Sequence, residues 1–189
     1  FTTTGSSILN NIEGLSKGML FWRCFTHWIG GMGVLVFVLA FLPKSEGQNM
    51  FLMKAEVPGP VVGKLVSKVQ MTARILYGIY AFLTLLEVIF LLLGHMPLFD
   101  SIVHAFSTAG TGGYAIKNSS IAGYSTYIQV IVTIFMILFG VNFNVYFLFY
   151  VKKWKDGLRC EEARAYFGII LGSVALISFM TALENVQIA

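Results

Sequence analysis

The chain has 189 residues, 57% of them hydrophobic and 12% charged, with a formal net charge of +4 and a mean hydropathy of +0.77. Such a composition excludes a water-soluble domain. It also lacks the basic soluble face that a nucleic-acid partner would need.

The chain begins on Phe1-Thr2-Thr3-Thr4-Gly5, inside a polar motif and without a secretory signal, so it is expected to be a piece of a longer protein. Cys24 to Leu42 then carries no charge apart from the titratable His27. Residues 43–71 form a linker with Lys44, Lys54, Lys64 and Lys68, in which apolar and basic residues mix as in a helix on a membrane surface; lysines snorkelling toward phosphates are the plainer alternative. Ile75 to Leu93 holds only Glu87, Thr126 to Val151 has no charge, and neither has Ala165 to Leu183. A bilayer core needs roughly 20 apolar residues in a helix. Four transmembrane helices are therefore expected, and the lack of period-two alternation argues against a β-barrel. Lys152, Lys153, Lys155, Arg159 and Arg164 fill the 152–164 loop, whereas only Lys117 lies between the second and third spans. Lys- and Arg-rich short loops stay cytoplasmic, which places both basic loops inside and the polar motifs outside. Cys24 and Cys160 cannot meet in this topology, and no Cys or His cluster has metal-ligand spacing.

An internal repeat is the strongest signal. Phe1-Thr2-Thr3-Thr4-Gly5 matches Phe106-Ser107-Thr108-Ala109-Gly110, and each is followed by a polar connection, a charge-free span and a basic loop. Before the second copy, Pro97 suits a first helical turn, Asp100 complements the positive helix end, and Leu98, Phe99, Ile102, Val103 and Phe106 share one face. This segment is too short to cross, so it is expected to dip in and return. The unit reads as helix, re-entrant helix, glycine-bearing loop, helix. The fragment would then hold the end of repeat one (1–42), the cytoplasmic linker (43–71), all of repeat two (72–151), a basic loop (152–164) and the first helix of repeat three (165–189).

Non-helical backbone at membrane depth survives only when buried in protein or lining a watery cavity. An extended loop with carbonyls aimed at an axis replaces a cation's hydration shell. Thr3, Thr4, Thr108 and Thr111 offer hydroxyl oxygens and β-branched backbones, while Gly5, Gly110, Gly112 and Gly113 open conformations closed to other residues. The re-entrant helix would aim its partly negative end at the same cation. Neither motif holds a basic side chain, as an anion site would. Ordinary external turns rich in glycine and threonine are the bland alternative.

The stretches "FTTTGSS", "WRCFTHWIGGMGVLVFVLAFLP", "AEVPGP", "YGIYAFLTLLEVIFLLLG" and "HAFSTAGTGGYAIKNSSI" together resemble the Trk/Ktr/HKT superfamily, most closely its Trk-type bacterial potassium-uptake members. The resemblance implies four helix–pore-loop–helix repeats around one permeation path, a homodimer, and a multi-pass location in the bacterial cytoplasmic (inner) membrane. It further implies that Thr2, Thr3, Thr4 and Gly5 form one filter loop and Ser107, Thr108, Ala109 and Gly110 another, with a second register sliding toward Thr111, Gly112 and Gly113. In that family a glycine at the filter position accompanies potassium selectivity, so Gly5 and Gly110 imply potassium as the transported substrate, with no cofactor. Docking of a cytoplasmic nucleotide-binding regulatory ring (TrkA-like) on the basic loops is implied as well. No motif names a coupling ion for symport.

Glu87, seven residues before Gly94, is expected to be a buried structural carboxyl, with ion or proton coupling as the alternative. Gly30 to Gly33 ("GGMG") follows no strand, so close helix packing is favoured over a dinucleotide site. Asn142 and Asn144 either face an aqueous cavity or bond across helices. His27, His95 and His104 are scattered, and His104 is assigned packing or hydrogen bonding. A secondary transporter built from broken-helix repeats is the alternative function. A membrane enzyme lacks a nucleophile–base pair, since Ser6 and Ser7 have no evident partner, and a non-transporting scaffold is the third class.

Overall fold

The computed structural model describes residues 2–4, 11–33, 69–114, 116–152, 157 and 160–188, and these contain helices and turns but no β-strand. They divide into two units, 1–140 and 141–189. The first holds α1 (Lys17–Gly31), α2 (Val69–Leu93), α3 (Leu98–Ala109), a 3-10 turn (Ser120–Gly123) and α4 (Thr126–Gly140). The second holds α5 (Phe143–Tyr150) and α6 (Glu161–Ile188).

In α2 the physics of a membrane helix is direct. Ala73, Leu76, Tyr77, Tyr80, Thr84, Glu87 and Leu91 recur every three or four residues and are buried, the stripe expected of one packed face. The opposite face carries Phe82, Leu85, Ile89 and Leu93, all exposed and apolar. Water would penalise that face; hydrocarbon does not. Residues Met71–Leu93 of α2 and Glu161–Ala182 of α6 are long and apolar enough to cross a membrane, and α4 with α5 makes a third if the pair counts as one broken span. Exposed Ile169, Leu171, Ile177 and Phe179 give α6 the same surface. This is a membrane protein.

Two expected spans differ in detail. α1 starts at Lys17, well before Cys24, and the remainder of the first span (34–42) lies outside the described residues, as does most of the 43–71 linker. The expected continuous helix Thr126–Val151 is interrupted after Gly140. Asn142 causes the restart, because its side chain accepts a hydrogen bond from the Asn144 N–H at 2.9 Å and so caps α5. Its amide also donates to a Glu162 carboxylate oxygen.

Both α2 and α3 end in the same hydrogen-bond pattern. His95 N–H reaches the Leu92 carbonyl (3.0 Å) and Met96 N–H the Leu91 carbonyl (3.2 Å). In α3, Thr111 N–H reaches Thr108 (2.8 Å) and Gly112 N–H reaches Ser107 (3.0 Å). This six-to-one, five-to-two arrangement needs a left-handed residue just past the helix. His95 (φ 62°) and Thr111 (φ 57°) occupy that place instead of glycine. After the first reversal, Met96 and Leu91 join Ile128 and Val132 in a buried cluster that fastens α2 to α4.

Candidate functional site

α3 has 12 residues, about 18 Å at 1.5 Å per residue and too short for a hydrocarbon core. Pro97 is its N-cap, with helix beginning at Leu98, and Asp100 lies in the first turn as the charge pattern required. The far end is deeply packed: Ser107, Thr108 and Ala109 are buried, whereas Thr111 is exposed and Gly112, Gly113 and Tyr114 are half-buried. The Ser107 and Thr108 carbonyls accept the capping N–H groups described above. The side-chain hydroxyls also face inward, Ser107 donating to the Tyr114 carbonyl (2.6 Å) and Thr108 to the His104 carbonyl (2.9 Å). Accessible backbone therefore begins at Thr111. Left-handed geometry is rare for a β-branched residue and costs roughly 1–3 kcal/mol, so strain sits where the buried helix gives way to the loop. Gly113 is also left-handed (φ 64°).

In the first motif, Thr2 and Thr4 are exposed with their hydroxyl oxygens 3.0 Å apart, and Thr3 between them is left-handed at φ 53°. Gly5 lies outside the described residues. The conformational counterpart of Thr3 is thus Thr111, whereas the sequence match pairs Thr3 with the helical Thr108. Ser107, Thr108 and Ala109 close the helix, and Gly110 caps it.

α1 presses against this helix end. Leu20, Cys24 and His27 form its buried stripe, and Gly31, itself exposed, follows on the same face at helical spacing. A Cβ at Gly110 would overlap the His27 ring, and one at Gly112 would lie 2.5 Å from His27 Nε2 and 2.9 Å from the Tyr114 ring. His27 meets Tyr114 edge-on at 4.9 Å, while Arg23 places its guanidinium 4.4 Å from the Tyr114 ring centroid. At Gly31 a Cβ would approach Tyr80 Oη to 2.5 Å and Gly110 Cα to 2.7 Å. The packing expected of "GGMG" is realised here, against a helix end and a tyrosine. α1 is tied to α2 by Tyr80 Oη donating to the Trp28 carbonyl (2.9 Å) and Trp28 Nε1 donating to Thr84 Oγ1 (3.0 Å).

The opposite rim is polar. Tyr124 donates to Asp100 Oδ2 at 3.0 Å, and Lys117 lies 4.3 Å over the Tyr124 ring. Burial, then the bond to Asp100 and its negative charge, push the Tyr124 phenol well above its ordinary pKa. His104 Nδ1 contacts the Asp100 carbonyl (2.7 Å), the hydrogen-bonding role expected of it. The two polar connections meet at Asn118: its N–H donates to Glu13 Oε1, its side-chain amide donates to Asn11 Oδ1, and its Oδ1 accepts the Ile12 N–H, all within 3.0–3.1 Å.

Sequence reasoning missed His27, Arg23 and Tyr114 as companions of the second loop. The signal available was the 20–24–27–31 stripe, which puts a histidine on the same face as a glycine.

The family model TrkH, described as cation transport protein, matches residues 1–181. The Trk system potassium uptake protein TrkH of Salmonella typhimurium is 34% identical over 188 residues, covering 98% of this chain and 39% of the relative. TrkG of Escherichia coli K12 is 32% identical over 181 residues, covering 94% and 37%. The crystal structure of the potassium transporter TrkH from Vibrio parahaemolyticus aligns with a TM-score of 0.63 at 31% identity, over 80% of this chain and 29% of that one. The chain spans about two fifths of the length of the curated relatives it matches. With a family model covering all but its last residues, the chain belongs to the TrkH family of cation transport proteins.

Proposed function

We propose that this chain supplies two of the pore loops of a potassium-uptake pathway, with dehydrated potassium coordinated by backbone carbonyls at Thr2–Gly5 and in the loop after α3. One observation carries the reading: α3 is a helix too short to span, it ends among buried partners, and it releases accessible, left-handed backbone at Thr111 to Gly113. Carbonyls of such a loop replace a hydration shell, and the helix end adds partial negative charge. The conformation favours the register Thr111-Gly112-Gly113 over Ser107 to Gly110, whose backbone closes the helix. Potassium, rather than another cation, is supported by the names of the relatives, which are potassium uptake proteins.

In this reading the basic loops face the cytoplasm of a bacterial inner-membrane protein. The remaining repeats come from the rest of the same polypeptide. The relatives' designation as parts of a Trk system supports a partner subunit, for which the basic loops are the natural contact; a homodimer completes the assembly.

The test is cation uptake by the full-length protein in liposomes, with rubidium as tracer and sodium as competitor. Gly112→Ala puts a Cβ into the space of His27 and Tyr114, whereas Gly123→Ala in the outer 3-10 turn meets only Ser119 Oγ at 3.4 Å. Gly112→Ala is expected to change the rubidium-to-sodium preference by about tenfold, equivalent to one carbonyl contact of roughly 1.4 kcal/mol. Gly123→Ala should leave the preference unchanged. Equal preference in wild type and both variants would refute the loop assignment.

A further inference from the structure

Ser107 fastens the second loop at two points. Its carbonyl accepts the Gly112 N–H at 3.0 Å, and its hydroxyl donates to the Tyr114 carbonyl at 2.6 Å. Both bonds return to one buried residue of α3, so Thr111 to Tyr114 form an arch whose far pier is Tyr114. Along that arch Thr111 is exposed, and Gly112, Gly113 and Tyr114 are half-buried. A hydrogen bond that water can replace contributes little net, so this pier gains from a second hold.

α1 supplies it. The Arg23 guanidinium lies 4.4 Å from the centroid of the Tyr114 ring, and His27 meets the same ring edge-on at 4.9 Å. Four residues apart, Arg23 and His27 share one face of the helix. A guanidinium is planar, always charged and weakly hydrated, so it suits an aromatic face better than a lysine ammonium does. The attraction strengthens as the pair leaves water, and both Arg23 and Tyr114 are half-buried. Arg23 also borders the charge-free stretch 24–42, where a cation without a partner is costly. Lys17 and Lys117 lie over other rings, Phe99 (5.7 Å) and Tyr124 (4.3 Å), and so do not duplicate this contact.

We infer that Arg23 and Tyr114 form a latch between α1 and the second loop, in which Tyr114 is a positioning residue gripped through its ring by α1 and through its carbonyl by α3. The latch fixes the end of the arch and thereby the placement of the Thr111 to Gly113 backbone. Its consequence for cation preference rests on the pore reading above; the order it imposes on the loop does not.

The experiment uses full-length protein in liposomes and compares wild type with Arg23→Gln, Tyr114→Leu, the double variant and Tyr114→Phe. Two quantities are measured: amide hydrogen exchange of the peptide spanning 107–114, which reports local opening, and the rubidium-to-sodium uptake preference. Arg23→Gln should speed loop exchange about fivefold, as expected for losing a partly desolvated cation–ring pair. Adding it to Tyr114→Leu should change nothing further, because the two residues share one interaction. Tyr114→Phe keeps the ring and should stay within about twofold of wild type. The rubidium preference should fall in Arg23→Gln and Tyr114→Leu and hold in Tyr114→Phe. Wild-type exchange in Arg23→Gln, or a second fivefold step in the double variant, overturns the latch whatever uptake does. A loop that loosens without any change in preference overturns the link to permeation while the latch stands. Should Tyr114→Leu fail to reach the membrane, Arg23→Gln decides alone, and unchanged exchange there is fatal to the proposal.

Discussion

Replacing Gly31 by alanine puts a methyl group in place of a hydrogen at a tight junction between α1 and the end of α3. The new Cβ would lie 2.5 Å from Tyr80 Oη, 2.7 Å from Gly110 Cα and 3.2 Å from the Ala109 carbonyl oxygen. Carbon atoms prefer separations near 3.5–4.0 Å, and two of the three obstacles are backbone, which cannot swing aside. Overpacking of this kind costs about 1–3 kcal/mol. Alanine also gains up to about 1 kcal/mol of helix propensity over glycine, which hides part of the penalty. Gly78, in the middle of α2 with nothing within 4 Å of its built Cβ, provides the control. Gly78→Ala collects the propensity gain alone. The difference between the two variants therefore isolates the clash, about 1–3 kcal/mol, and can be read from reversible unfolding of the full-length protein in mixed micelles. Rubidium uptake should fall in Gly31→Ala and persist in Gly78→Ala, because only the first displaces Gly110. Two variants of equal stability would refute the close approach on which the buttressing of the loop rests.

Thr111→Gly should stabilise the protein by roughly 1 kcal/mol, since glycine adopts the left-handed cap without the steric penalty of a β-branched residue. It should also weaken discrimination between rubidium and sodium by loosening the loop, and a destabilised variant would show that φ 57° carries no strain. Tyr124→Phe removes the bond to Asp100 and bears on alkaline stability. Because folding raises the phenol's pKa, native structure favours the protonated form, so this contribution is intact below the unfolded value of about 10 and is lost as pH rises beyond it. Wild type should lose stability between about pH 10 and 12 more steeply than Tyr124→Phe; parallel curves would contradict the Tyr124–Asp100 coupling.

What could be read from the residues depended on whether a signal was local. The 75–93 span and the short amphipathic helix before "STAGTGGY" each carry their own periodicity, and α2 and α3 appear where that periodicity puts them. Lys17 to Arg23 is less uniformly apolar, so hydropathy alone hid the first turns of α1, whose buried stripe extends back to Leu20. The interruption after Gly140 was hidden for the opposite reason. Residues 126–151 are charge-free throughout, and only the capping chemistry of Asn142 distinguishes a broken helix from a whole one. Glu87 was read as a carboxyl bonded to a neighbouring helix; its burial agrees, but no described group donates to it. That difference depends on which side chains the fold brings within reach of α2, and a one-dimensional pattern does not contain it.

The glycines of the second motif illustrate how one sequence feature can have two causes. Read from the chain, Gly110, Gly112 and Gly113 look like the requirements of an ion-coordinating loop. In the fold, Gly110 and Gly112 lack side chains because His27 occupies the space, and only Gly113 combines left-handed backbone with a neighbour, Met136, at 3.0 Å from a built Cβ. The close approach is packing between α1, which follows the first motif, and the end of α3, which carries the second. The helix after the first motif thereby becomes the back wall of the loop after the second. Such a wall makes the loop's position depend on the helix before it. It follows that substitutions at Gly110 report on this wall first, while Thr111 to Gly113, where the backbone emerges from its partners, are on the pore reading proposed above the positions whose chemistry an ion would feel directly.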